Sequence, residues 1–440
     1  MTTQIFCAST LYGVATLAAA LDADCFGPAD RRILLVSNNA AVPEVSTSVD
    51  EMPGFAVLRD RFDEVLSWNA AISPFHPGGW SPRPDDTVLW ERYLRLLWDL
   101  GDDHVELAVE SIQVNPALAL GQIFSVSPVD VYADGLMSYG PTRFKIDPLV
   151  GTRVRRLLHL DLVPGLKPLL LTEFGAPAQT VPTDAFLKVL GTVGAAAPGL
   201  PELPELPQDA ALLLGQYLSA LDILTPEEEE ELHVRMLKGA VAQGHRRIVF
   251  KPHPTAPARY SRALEEAAER LEVELTVLDV PVLAELLYER IRPALVVGCF
   301  STALFTAKTL YGLPAARVGT ELLLERLTPY QNSNRMPVTL ADALLPDLES
   351  GRTVEFGELR DLVETVGFTM QPKIHPGLER AATAYLAHGP ADIARYFKRR
   401  RLTALGLPGG LPTRLAFIPR HAAVRRVARR VRAVKRSALG

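Results

Sequence analysis

Short apolar runs, each closed by a turn residue and followed by residues at helical spacing, recur along this chain. Gln4 to Gly13 reads as a strand that enters a glycine-containing loop and then a helix. Arg32 to Ser37 is a buried strand closed by Asn38 and Asn39. Val88, Leu89, Tyr93, Leu96, Leu97 and Leu100 share one helical face. His104 to Val109 is a strand, Pro116 to Ile123 a helix, and Val129 to Tyr132 a strand ending at Ala133-Asp134-Gly135. Pro168 to Thr172 reads as a further strand. This alternation predicts an α/β layer on a parallel sheet.

The rhythm breaks between 196 and 208, where prolines recur among Gly, Leu and Glu as in an extended linker. It then restarts. Ala211 to Leu218 is a predicted strand. Thr225 caps a helix with Pro226 in its first turn and Glu227 to Glu231 where carboxylates suit the helix dipole. Arg247 to Phe250, Glu274 to Leu278, Ala294 to Val297 and Ala316 to Val318 are strands; Ala258 to Leu271, Val282 to Tyr288 and Ser301 to Tyr311 are helices. The expected organisation is an N-terminal Rossmann-like domain over residues 1–195, a linker over 196–208, a second Rossmann-like domain over 209–395 and a basic tail over 396–440. In such sheets ligands bind at the carboxyl ends of strands, so chemistry is expected just beyond them.

Composition narrows the class. Of 440 residues, 48% are hydrophobic and 22% charged, which excludes a disordered chain, a collagen and a coiled-coil rod. Cys7, Cys25 and Cys299 are too widely spaced for a disulfide framework or a Cys-x-x-Cys clip, and a reducing cytoplasm is the expected setting. Ile5 to Ala20 lacks a basic leader and is interrupted by polar residues, so it reads as strand and helix rather than signal peptide; no run predicts a membrane span.

The net charge of −5 hides an asymmetry. Fourteen Lys and Arg follow Asp392 and no acidic residue does, so of 46 basic residues 32 remain against 51 acidic ones, a net of −19 over residues 1–392. From Arg420 to Leu439, Ala422, Val424, Val427, Val431 and Val434 recur among arginines. This is the pattern of a basic amphipathic helix over 414–440, suited to peripheral contact with anionic lipid on the inner face of a membrane; a solvated tail is the alternative. Nucleic acid is not an expected partner, because no aromatic residues interleave the basic ones and the body is acidic.

Three loops stand where a parallel sheet would present chemistry. Asp134-Gly135 follows an apolar strand, where the carboxylate can serve as a general base or simply cap the turn. Lys251-Pro252-His253-Pro254 follows another; its prolines fix the imidazole's direction. His76-Pro77 and His375-Pro376 lack the preceding strand, so position singles out His253, with a structural histidine as the alternative. Val296 to Ala303 is a strand, a glycine turn and a helix start at Ser301-Thr302, a pattern that binds phosphate or merely caps the helix. No Rossmann glycine fingerprint, Walker A pattern or metal-ligand spacing is present.

The order of these motifs resembles the bacterial sialyltransferases of the GT-B fold, with their acidic-Gly, HP and Ser/Thr motifs. Tyr132-Ala-Asp-Gly-Leu and Phe250-Lys-Pro-His-Pro are most similar to the α-2,8-polysialyltransferase family, over about residues 1–395. The resemblance implies a GT-B enzyme: two Rossmann-like domains facing a cleft, and an inverting, metal-independent transfer of a nonulosonate from a CMP-activated donor, CMP-N-acetylneuraminate first, to a glycan acceptor. Asp134 would be the base, with His253, Ser301 and Thr302 on the CMP phosphate. Ala133 departs from the family's frequent second carboxylate.

Beside that resemblance, Lys251, Gln216 and Gly298 are candidate nucleotide contacts, Gly13 and Gly135 candidate cleft residues, and Arg143 a candidate contact to an acidic acceptor. The segment from Ser67 to Arg83, rich in Trp, His, Pro and Gly, suits either a sugar or an ordered surface loop. No cofactor is expected beyond the donor substrate. Two other readings stay open: a GT-B enzyme using UDP- or GDP-sugars or a nonhydrolysing epimerase, and a non-catalytic protein that binds membrane or capsule machinery.

Overall fold

The computed structural model describes residues 1–196, 206, 210–253, 259–280 and 282–411. The first half builds a seven-stranded, wholly parallel sheet. Its strands are β1 (Thr2–Ala8), β2 (Arg31–Val36), β3 (Glu64–Ser67), β4 (His104–Glu110), β5 (Val129–Ala133), β6 (Val154–Leu160) and β7 (Ala178–Val181), in the order β3-β2-β1-β4-β5-β6-β7. The second half builds a five-stranded parallel sheet from β8 (Ala211–Leu214), β9 (Arg247–Lys251), β10 (Glu274–Val277), β11 (Leu295–Gly298) and β12 (Ala315–Arg317), in the order β10-β9-β8-β11-β12. Both orders reverse beside the first strand of the sheet, the point where such sheets open a crevice at their carboxyl ends. The molecule is thus a two-lobed α/β protein of the GT-B kind.

Alternation along the strands sets both cores of the first lobe. Ile5, Cys7, Val105, Leu107, Val109, Val129, Val131 and Ala133 face one apolar layer. Phe6, Ala8, Ala108, Tyr132 and Leu158 face the other, where the helix Leu11–Asp22 packs. That second layer continues without a break into the core of the second lobe. Gly194, in the helix Thr183–Ala196, brings its backbone close to Leu286, so the lobes are joined by apolar contact as well as by the chain.

The structure corrects several expectations. Pro168 to Thr172 is not a strand; the sheet continues through Val154–Leu160 instead. The latter carries Arg155 and Arg156, which pair with buried Asp130, and those charges masked its apolar residues. The helix expected over 301–311 is present from Thr302 to Leu310 with Ser301 as its cap; it opens as an α-turn, Thr302–Phe305, and continues as a π-helix over Thr306–Leu310. Thr225 caps its helix as expected, in a reciprocal capping box with Glu228.

The proline-rich linker lies almost wholly outside the described residues, and the amphipathic segment 414–440 entirely so. Residues 396–405, assigned to the tail by their charge, include buried Tyr396, Phe397 and Leu402 and a helix Arg399–Leu405 whose Arg401 donates to the carbonyls of Thr369 and Met370. No helix among the described residues is long and apolar enough to cross a membrane.

Candidate active site

Strand ends from both lobes meet at one cavity of about 290 Å³. Asp134 and Gly135 enter it from the exit of β5, Leu214 and Gly215 from β8, Lys251 to His253 from β9, and Ser301 to Ala303 from the loop after β11. Tyr12 and Glu285 complete the wall from the helices Leu11–Asp22 and Ala284–Ile291. Motifs more than a hundred residues apart are therefore neighbours.

Close packing fixes the first lobe's contribution. Thr10 caps its helix by accepting from the Gly13 amide at 2.9 Å. A Cβ on Gly13 would sit 3.1 Å from the Tyr132 hydroxyl and 3.5 Å from Asp134 Oδ2, so glycine there lets the helix start press against the carboxylate. Gly135 plays the same part between lobes: a Cβ on it would lie 3.0 Å from Thr302 Oγ1. Asp134 is half-buried, and its pKa is pushed up to about 8 by desolvation and then by the nearby Glu110 carboxylate. A carboxyl so placed changes charge near neutral pH, as a general base must.

The second lobe contributes cations and hydroxyls. Lys251 is buried at the end of β9; desolvation lowers its pKa, while Glu285 and Asp279 oppose that shift. His253 stands exposed at the mouth, its ring 6.4 Å from that of Tyr217. Partial desolvation and the charge of Lys251 push it below the ordinary histidine range, an effect that solvent tempers. Ser301 Oγ accepts from the Ala303 amide at 3.2 Å and thus caps the short turn, while its side chain still lines the cavity. The Ser301 and Thr302 side chains, at the start of a short helix, make up this wall.

Three candidates lie elsewhere. Gly298 is buried against Leu304 and closes β11. Gln216 accepts from the Phe300 amide at 3.0 Å and so holds the loop that presents Ser301. Arg143 lies over the Phe144 ring at 4.8 Å, and its carbonyl accepts from Gln371; it does not line the cavity. Of the Ser67–Arg83 segment, Trp68 is fully buried against Trp80 and Trp98, whereas Ser67, Asn69 and Ser73 to Pro77 line a separate surface cavity of about 480 Å³.

Sequence reasoning missed three residues. Glu285 is a buried carboxyl whose pKa is raised by burial; Thr306 donates to it at 2.8 Å. Its place in an ordinary helix gave no signal. Tyr12 brings a buried hydroxyl with no hydrogen-bond partner among the described residues. Glu110 ends β4 beside Asp134, just as Asp134 follows β5; extending the predicted strand by one residue reveals it.

A larger cavity, of about 620 Å³, lies away from this chemistry. Most of its charges are paired: Arg235 with Glu349, Arg317 with Asp347, and Arg395 with Glu321. Among the described residues no group of three or more His, Cys, Asp or Glu side chains is arranged to hold a metal ion.

Comparison with known proteins follows from this geometry. Solved structures similar in fold include the UDP-GlcNAc 2-epimerase of Methanocaldococcus jannaschii, with 13% identity over 72% of this chain and 83% of that one at a TM-score of 0.44. A sialyltransferase of Photobacterium damsela shares 14% identity over 77% and 78% of the two chains at a TM-score of 0.40. The 2,6-sialyltransferase of Vibrionaceae Photobacterium sp. JT-ISH-224, solved with CMP and lactose, shares 12% identity over 77% and 74% at 0.37. No curated protein matches the sequence. The model of the Alpha-2,8-polysialyltransferase (POLYST) family matches residues 4–320, most of the chain, and with its motifs gathered at one cavity this glycosyltransferase belongs to that family.

Proposed function

We propose that this sialyltransferase moves a nonulosonate, sialic acid first, from a CMP-activated donor to a glycan hydroxyl with inversion. The observation that carries the reading is the convergence of Asp134, Lys251, His253, Ser301 and Thr302 on one cavity between the lobes. Asp134 takes the proton of the acceptor hydroxyl as its oxygen bonds to the anomeric carbon. The bond from that carbon to the CMP phosphate oxygen breaks, and its electron pair leaves with CMP. His253, Lys251 and the two hydroxyls face the charge that grows on the leaving phosphate. The raised pKa of Asp134 means that the base form of the unliganded protein fills in as pH rises toward about 8.

The test is CMP release from CMP-N-acetylneuraminate by purified protein, beside Asp134→Asn and His253→Ala. The expected result is release by the wild type and a fall of about 100-fold or more in each variant, the scale of a lost acid or base. UDP- and GDP-sugars serve as controls. Turnover of those alone would move the protein to another donor class, and turnover of none would support the non-catalytic reading.

A further inference from the structure

Glu110 and Asp134 stand on adjacent strands. In the parallel register Glu110 sits opposite Tyr132, and Asp134 follows Tyr132 by two positions. Two positions along a strand return to the same face, so the two acidic residues are diagonal neighbours on the face that packs the helix Leu11–Asp22. β4 ends at Glu110 because the chain turns sharply at Ser111, whose φ is 42° and whose amide donates to the Tyr132 carbonyl. Ser9, just beyond β1, donates its hydroxyl to Glu110 Oε2 at 2.8 Å and orients the carboxyl. Glu110 does not line the cavity; it stands behind Asp134.

We propose that Glu110 is a positioning residue for Asp134, its charge behind Asp134 helping to set the pH at which Asp134 becomes the base. This rests on the function proposed above. Like charges this near do not both ionise readily, so the pair loses its protons in two separated steps that belong to the pair rather than to either residue. In the resting site Asp134 holds its proton, kept there by burial and by the charge of Glu110. Once it is shed to solvent, Asp134 can accept the acceptor's proton, which leaves in turn after the product does.

The other groups around the pair leave this assignment open to Glu110. From the first lobe Tyr12, Tyr132 and Cys7 face it, and burial and the neighbouring carboxylates hold all three neutral through the working range. From the second lobe Lys251, His253 and Glu285 line the same cavity. Asp134 is raised first by burial and then by Glu110, and Glu110 itself is raised by burial and lowered by the Ser9 hydrogen bond.

The test is the pH profile of kcat/KM for CMP release by the full chain carrying Glu110→Gln, Glu110→Asp, Ser9→Ala and, as reference, Asp134→Asn. The prediction for Glu110→Gln is an acid limb displaced to lower pH by about one unit, on the scale of a close like-charge partner. Glu110→Asp retains most of the wild-type limb. Ser9→Ala gives a smaller displacement in the same direction, because it favours the neutral form of Glu110, and it serves if Glu110→Gln does not fold. A limb that stays in place in Glu110→Gln and Ser9→Ala while the rate falls would make Glu110 a purely structural residue and overturn the inference alone. Full activity in Asp134→Asn would overturn the function proposed above as well.

Discussion

At the scale of single residues, this site trades stability for readiness. The Tyr12 hydroxyl is buried without a partner among the described residues, a state that costs about 1–3 kcal/mol. Tyr12→Phe is therefore expected to melt no lower than wild type while its donor KM rises, since Tyr12 lines the cavity proposed for the donor. A lower melting temperature with unchanged KM would place the hydroxyl in the structure rather than the site. Asp134 makes the same trade in a pH-dependent way. Its folded pKa of about 8 lies above the ordinary 3.8, so the folded state holds the proton longer and stability falls as pH rises between those values. Asp134→Asn removes that slope, and its melting temperature should exceed the wild type's by a margin that widens toward pH 8.

Asp134, Lys251, His253, Ser301 and Thr302 were legible because a parallel sheet presents strand ends and these residues follow apolar strands. Glu285 and Tyr12 were not, because each sits on a helix whose pattern looks ordinary until the lobes are placed face to face.

At the scale of elements, the β5 exit and the loop after β11 approach within the room a methyl group needs. Gly135→Ala would set a Cβ 3.0 Å from Thr302 Oγ1. Gly135 is extended, at φ −131° and ψ 178°, so the backbone tolerates alanine and the clash is between loops. We expect CMP release to fall by about tenfold or more with little change in melting temperature, on the scale of a small misplacement at a reacting centre; an equal loss of stability would point to local misfolding instead.

The strands legible from sequence were the apolar ones. β6 was lost because Arg155 and Arg156 break its run, although their partner Asp130 is 1% exposed and makes them part of the interior. The helix after Ser301 was legible from its start, but its change from α to π winding at Thr306 left no mark in the residue pattern.

At the scale of the whole molecule, a buried charge network fastens the far side of the second lobe. Arg317 at the end of β12 is 2% exposed; it pairs with Asp342 and Asp347, and Asp342 also binds Thr320 and Arg395. Arg317→Met removes the buried partner of Asp342 and leaves it only Arg395 and Thr320; the loss of charged hydrogen bonds should cost about 1–3 kcal/mol, read as a lower urea midpoint. An unchanged midpoint would mean that Asp342 takes up a proton or another partner at no net loss.

Asp342 lies in the helix Arg335–Leu344, which also reaches the first lobe: Met336 packs on Gly140. The helix Leu359–Met370 does likewise, with Gly367 against Leu169, and Gln371 just after it donates to the Arg143 carbonyl. Residues 335–371 thus follow the second sheet in the chain yet lean on the first. Recombination between relatives at the proline-rich stretch would separate these helices from the surface they fit. A hybrid that inherits the first lobe from this chain would have to inherit 335–371 with it, so the seam along which such enzymes could exchange parts is discontinuous in sequence.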